Sequence, residues 1–216
     1  MSEDLIVRHC APTLAGLKTG NMFRASFADE GELDAELERL NLILTDKGLR
    51  ITALRIDCQV NCGKCGIRAL MYIYRPGQLQ SDLDEEEAKA ILSAFGYEDG
   101  DHEICIRRLT DRICECEEFP HEVGLFLGYP PEDVKGFIEL GGRQSKASGY
   151  WKVYGDVDRA QKQFERFSKC TGVYLKCLER GLPFTKLAVK KKVTALGYRL
   201  EVKNEQSRCS ILEYDR

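Results

Sequence analysis

Apolar residues recur along the 216-residue chain at two spacings, and the spacing assigns the elements. Leu33, Leu37, Leu40 and Leu44 step at helical spacing, and Gly48 stands where a C-cap glycine belongs, so residues 31–47 are predicted as a helix. Residues 84–95, 103–117 and 131–140 carry the same period, the last opened by a proline. A long helix is predicted from a cap at Asp156 to Arg180, with Ala160, Phe164, Phe167, Thr171, Tyr174 and Leu178 along one face. Strands are predicted at 49–56, 69–74 and 150–154, with late strands at 184–189 and 198–202. The run Leu5-Ile6-Val7 is expected to be a first strand ending at His9-Cys10, followed after Pro12 by a short helix over 14–23. Residues 120–127 are expected as another short helix, begun by Pro120. Together these elements predict an α/β or α+β single domain, with a small mixed sheet flanked by helices. Residues 1–190 would form that domain, and 191–216 an extension packed on it or partly flexible.

Composition narrows the class. At 24.5 kDa the chain can bury a core without covalent staples. No apolar run approaches the ~20 residues of a membrane span, and the acidic start Met1-Ser2-Glu3-Asp4 lacks an apolar signal core. A cytoplasmic protein with no membrane partner is therefore expected. The net charge of −3 argues against a general nucleic-acid binder. Charge is unevenly placed: residues 81–139 hold 17 acidic and 5 basic residues, whereas 176–208 are basic. Two such faces pair within the fold, or they dock a protein partner.

The chain has 10 cysteines, which a reducing compartment would leave as thiols, metal ligands or redox groups. Cys170 and Cys177 are seven apart on the long helix and are expected in the core. Cys58, Cys62 and Cys65 follow a C-x3-C-x2-C spacing in a hairpin-like loop with Gly63 and Gly66. Three thiolates so placed can reach one Zn²⁺ or Fe–S centre, with a fourth ligand from Cys105, Cys114, Cys116 or a histidine. A cysteine-rich loop holding nothing is the alternative.

His9-Cys10 attracts a second reading. A strand end running into a helix N-terminus binds anions and lowers a thiol pKa. Cys10 is then a candidate nucleophile or metal ligand, and His9, Thr13 and Lys18 are candidate ligand-binding residues. The alternative is that His9 and Cys10 simply pack.

The segment Phe119-Pro120-His121-Glu122-Val123-Gly124-Leu125-Phe126-Leu127-Gly128-Tyr129-Pro130-Pro131-Glu132-Asp133-Val134, then Gly136-Phe137-Ile138, resembles a bacterial family of unknown function with a Pro-His-Glu motif, found mostly in anaerobic Firmicutes. The resemblance extends to His9–Lys18, to Tyr72-Ile73-Tyr74-Arg75-Pro76 and to Gly149-Tyr150-Trp151-Lys152-Val153-Tyr154. It implies a single-domain cytoplasmic protein and supplies no reaction. Cys58, Cys62 and Cys65 lie outside the pattern. At a helix start, His121 would be neutral enough to act as a base or ligand beside Glu122.

Cys10, His121 and Glu122 are therefore the candidate catalytic set of an uncharacterised cytosolic ligand- or metal-binding protein, whether or not it is an enzyme. Its ligand would be a metal, an anionic cofactor or a small thiol-reactive molecule. Two alternatives stand beside it: a Zn or Fe–S protein using Cys58, Cys62 and Cys65, and a non-catalytic protein that docks partners through its charged faces.

Overall fold

A three-stranded antiparallel sheet divides the molecule into two apolar layers. The computed structural model describes residues 1–61, 64–194 and 197–200. The chain opens with helix α1, Glu3–Leu14, where a first strand was expected. Ser2 caps it by accepting the Leu5 N–H, and Glu3 and Asp4 sit favourably in its first turn. Ile6, Val7, Cys10, Ala11 and Leu14 form one buried helical face. Pro12 lies in the last turn, where its missing N–H costs only a bond to the carbonyl of the exposed Arg8. Residues 14–23 are not a helix: a turn through Gly16 (φ +75°) leads into β1, Gly20–Phe27.

Helix α2, Glu30–Leu44, ends in a 3-10 turn closed by left-handed Gly48, as its leucine spacing predicts. It crosses to β2, Arg50–Asn61, which hairpins into β3, Lys64–Tyr74. Both strands are longer than the sequence pattern suggests. The sheet order is β1-β3-β2, with both pairings antiparallel, so the expected mixed sheet is replaced by a purely antiparallel one. Helices α3 (Pro76–Leu83), α4 (Glu86–Ala94), α5 (His102–Glu115), α6 (Val123–Phe126) and α7 (Pro131–Leu140) follow. Two-residue strands β4, Ala147–Ser148, and β5, Lys152–Val153, take the place of the strand expected at 150–154. Helix α8, Val157–Glu179, is capped by Asp156 as predicted. The late strand at 184–189 is instead α9, Phe184–Leu187, a single turn after Pro183. β6, Lys191–Thr194, and β7, Gly197–Leu200, pair as a hairpin.

The alternation of β3 divides the core. Ala69, Met71 and Ile73 face the layer made by α1, α2 and α8, with Cys10, Cys170 and Cys177. Tyr72 and Tyr74 face the layer made by α3 to α7. The architecture is a single α+β domain. Among the described residues, no helix is long and apolar enough to cross a membrane.

Arg75, at the end of β3, ties the layers together. It is buried, and its guanidinium donates to the carbonyls of Thr13 (2.8 Å), Leu14 (2.8 Å), Val189 (2.9 Å) and Lys47 (3.3 Å). Two of these are the last carbonyls of α1, where a cation also meets the negative end of the helix dipole. Burial lowers the Arg75 pKa to about 10, which still leaves it charged at neutral pH. Replacing it removes four guanidinium hydrogen bonds, although the Thr13 and Leu14 carbonyls keep the N–H groups of Gly16 and Val189. Arg75→Met is expected to cost about 3–5 kcal/mol in urea denaturation, and Arg75→Lys to recover less than half, because one ammonium cannot span four carbonyls.

Candidate functional site

The turn from α1 into β1 carries Lys18 into the interior. Pro12 accepts the N–H groups of Leu17 (2.8 Å) and Lys18 (3.2 Å), and Thr19 accepts the Arg75 N–H (2.9 Å), so the backbone on both sides of the lysine is fixed. The Lys18 side chain is 5% exposed. Its Nζ donates to the Gly20 carbonyl at 2.7 Å and lies 5.1 Å from the centre of the Tyr129 ring. Among the described residues it has no carboxylate partner. Burial lowers its pKa to about 7; only the Cys10 thiol pulls the other way. Cys10 itself is completely buried, and its pKa is pushed up, so it remains a neutral thiol rather than a counter-ion.

Lys18 forms part of the wall of a polar cleft of about 360 Å³. One side is the turn Gly16–Thr19; Gln78, Asp82 and Glu85 form the second side, at α3 and the start of α4. Gly128 to Glu132, between α6 and α7, form the third, and Arg159 and Gln163 of α8 close the rim. Thr19 donates to Asp82, whose other oxygen accepts from Gln78 at 2.8 Å. Gly128 (φ +71°) must be glycine here: a Cβ would stand 2.5 Å from the Thr19 hydroxyl. Burial and the neighbouring charges of Asp82 and Glu132 raise the Glu85 carboxyl, and Arg159 partly offsets them.

A buried carboxylate holds the far wall. Asp133 accepts the N–H groups of Tyr154 (2.6 Å) and Gly155 (2.7 Å) with one oxygen and the Trp151 indole N–H (2.7 Å) with the other. Trp151 stacks on Tyr129 at 4.9 Å, and the Tyr129 hydroxyl donates to the Tyr150 carbonyl. Asp133, Trp151, Tyr129 and Lys18 thus form a continuous chain of contacts from the β4–β5 hairpin to the α1–β1 turn.

The three segments in that chain of contacts lie within one family match. The model of DUF3793, described as a protein of unknown function, covers residues 6–188. The chain belongs to the DUF3793 family. No curated protein and no solved structure matches it. The DUF3793 match spans every residue of the cleft.

Within this DUF3793 chain the sequence-predicted residues separate. Cys10 is in mid-helix, facing the first core layer, not at a strand end before a helix N-terminus. His9 points outward and stacks on Phe23 at 5.9 Å. Thr13 is buried and donates to Asn21 at 2.7 Å, a structural bond. His121 is exposed against Phe137, 4.9 Å between ring centres. The four-residue α6 begins after it, so the expected placement of His121 and Glu122 in a helical first turn is replaced by a turn. Glu122 is fully buried; it pairs with Arg112 and accepts from Tyr97 at 3.2 Å. No hydrogen bond or ring contact joins Cys10, His121 and Glu122. Of the predicted set, Lys18 alone lines the cleft.

Cys58 and Cys65 lie in strands β2 and β3 rather than in a loop. Cys58 is exposed, the Cys65 backbone pairs with Val60, and Cys62 lies outside the described residues. Among the described residues, no group of three or more His, Cys, Asp or Glu could hold a metal ion. Sequence reasoning missed Asp82, Glu85, Tyr129, Asp133, Trp151 and Arg159. Tyr129, Asp133 and Trp151 stand inside the segments quoted for the resemblance, and that was their one signal.

The lysine carries a sign-definite prediction. Its folded pKa is about 7 against an ordinary 10.5, so between those values the unfolded chain binds a proton that the folded chain does not. Folding stability therefore rises with pH across this window. Lys18→Met is expected to raise the melting temperature at pH 7 by several degrees, and its advantage over the natural protein is expected to shrink as the pH approaches 10.5.

Proposed function

We propose that this chain is a small-molecule-binding protein whose ligand occupies the cleft between the α1–β1 turn, α3 and the Gly128–Glu132 loop. One observation carries the reading: an amine without a carboxylate partner is buried in the wall of a polar cavity, at a cost in stability that packing alone does not repay. A volume of about 360 Å³ suits a compact ligand. Lys18 and Arg159 offer positive or donor groups, Asp82, Glu85 and Glu132 offer acceptors, and Tyr129 offers a ring face. That mixture favours a small polar molecule with both donor and acceptor groups over an apolar one. The expected setting is cytoplasmic.

This reading keeps the expectation of a ligand-binding protein and moves the site from Cys10 and His121 to Lys18. Whether the chain also turns its ligand over is addressed by the chemistry of the amine itself.

The test uses a built-in reporter, because Trp151 is the only tryptophan and stacks on the cleft residue Tyr129. A panel of amino acids, sugars and keto acids is titrated while tryptophan fluorescence is read. A saturable change that weakens at least tenfold in Arg159→Gln, with unchanged melting temperature, is the expected result. An affinity that is the same in Arg159→Gln and in Gly128→Ala, whose methyl would crowd Thr19, would place the ligand elsewhere.

A further inference from the structure

The geometry points to Lys18 as an imine-forming amine whose partner is a small aldehyde or ketone held in the cleft. This rests on the cleft being the ligand site and adds the chemical class of what it takes. Three observations support it. Lys18 lines the cleft, and its side chain keeps 5% of its surface exposed. Its position is fixed by the bond to the Gly20 carbonyl and by the Tyr129 ring, so the nitrogen is presented rather than mobile. Among the described residues no ion pair occupies it: Asp82 accepts from Thr19, and the Cys10 thiol stays neutral.

The charged groups around it come from every packed element. Cys10 of α1 is the one that acts on the amine directly; Asp82 and Glu85 from α3 and the start of α4, Glu132 from α7 and Arg159 from α8 line the same cleft. A desolvated lysine beside few counter-charges is neutral at a useful fraction near pH 7, which is the state that attacks carbonyls.

The step balances without any redox partner. The Nζ lone pair attacks the carbonyl carbon, the carbonyl oxygen gains a proton and the nitrogen loses one, giving a carbinolamine. Glu85, in the same cleft, then protonates the carbinolamine hydroxyl, which leaves as water while the C=N bond forms. The second nitrogen proton returns to the Glu85 carboxylate. One aldehyde and one amine become one imine and one water, and nothing is oxidised or reduced. Burial and the charges of Asp82 and Glu132 raise the Glu85 carboxyl, the direction such a donor needs, and Arg159 opposes them.

The test is reductive trapping on the full natural chain. The protein is incubated with glycolaldehyde and cyanoborohydride at pH 7, and each lysine's adduct is timed by peptide mass spectrometry. Lys18 is expected to react about tenfold or more faster than any exposed lysine, because its neutral fraction at pH 7 exceeds theirs by roughly three orders of magnitude, while burial gives part of that back. A Lys18 adduct that forms no faster than those on exposed lysines such as Lys89 and Lys135 overturns the proposal. No variant has to fold for this comparison. If trapping fails while the Trp151 fluorescence response to a ligand persists, the imine is excluded and the binding cleft stands. If both fail, the cleft reading falls with it.

Discussion

The fold depends on a guanidinium buried where a helix ends. Arg75 satisfies the C-terminal carbonyls of α1, a carbonyl of the turn before β2 and one beyond α9. Among the described residues no carboxylate pairs with it; the helix dipole and four carbonyl oxygens stabilise it. Because the same residue's N–H bonds to Thr19, Arg75 also fixes the start of β1. Lys18 sits between these two attachments. The strand end that terminates the sheet therefore sets the position of the buried amine.

A second buried charge shapes the opposite wall. Asp133 bonds the Trp151 indole and two backbone N–H groups, which holds the β4–β5 hairpin against α7. Trp151 in turn supports Tyr129, and Tyr129 lies under Lys18. Gly128 lets the loop approach Thr19 closely enough to complete the cleft. Each of these polar groups is satisfied within the protein, whereas Lys18 has one carbonyl bond and a cavity beside it.

Much of the helical frame was legible. The leucine spacing of α2, the prolines opening α7 and the Asp156 cap of α8 are local signals that the tertiary structure reinforces. The N-terminus was not, because Ile6-Val7 and Pro12 suggest a strand and a break. The helix survives because its proline is in the last turn and its five core residues are spaced for one face. β1 went unseen although Phe23, Ala25 and Phe27 alternate, since the expected helix over 14–23 covered its start. The site was legible only in part. Lys18 was a candidate from its motif, but Cys10 was read from a helix terminus that does not exist there. Asp82 and Arg159 share the cleft with Lys18 across 64 and 141 residues of sequence, and no spacing rule connects such positions.

The fold holds a lysine amine at the edge of deprotonation in the wall of a polar cleft. Its most direct measurement is an NMR titration of the lysine side chains in the folded protein, with Lys18 assigned by its loss in Lys18→Met. Lys18 is expected to titrate near 7, well below the exposed lysines. A Lys18 that titrates with the others, near 10.5, would contradict it.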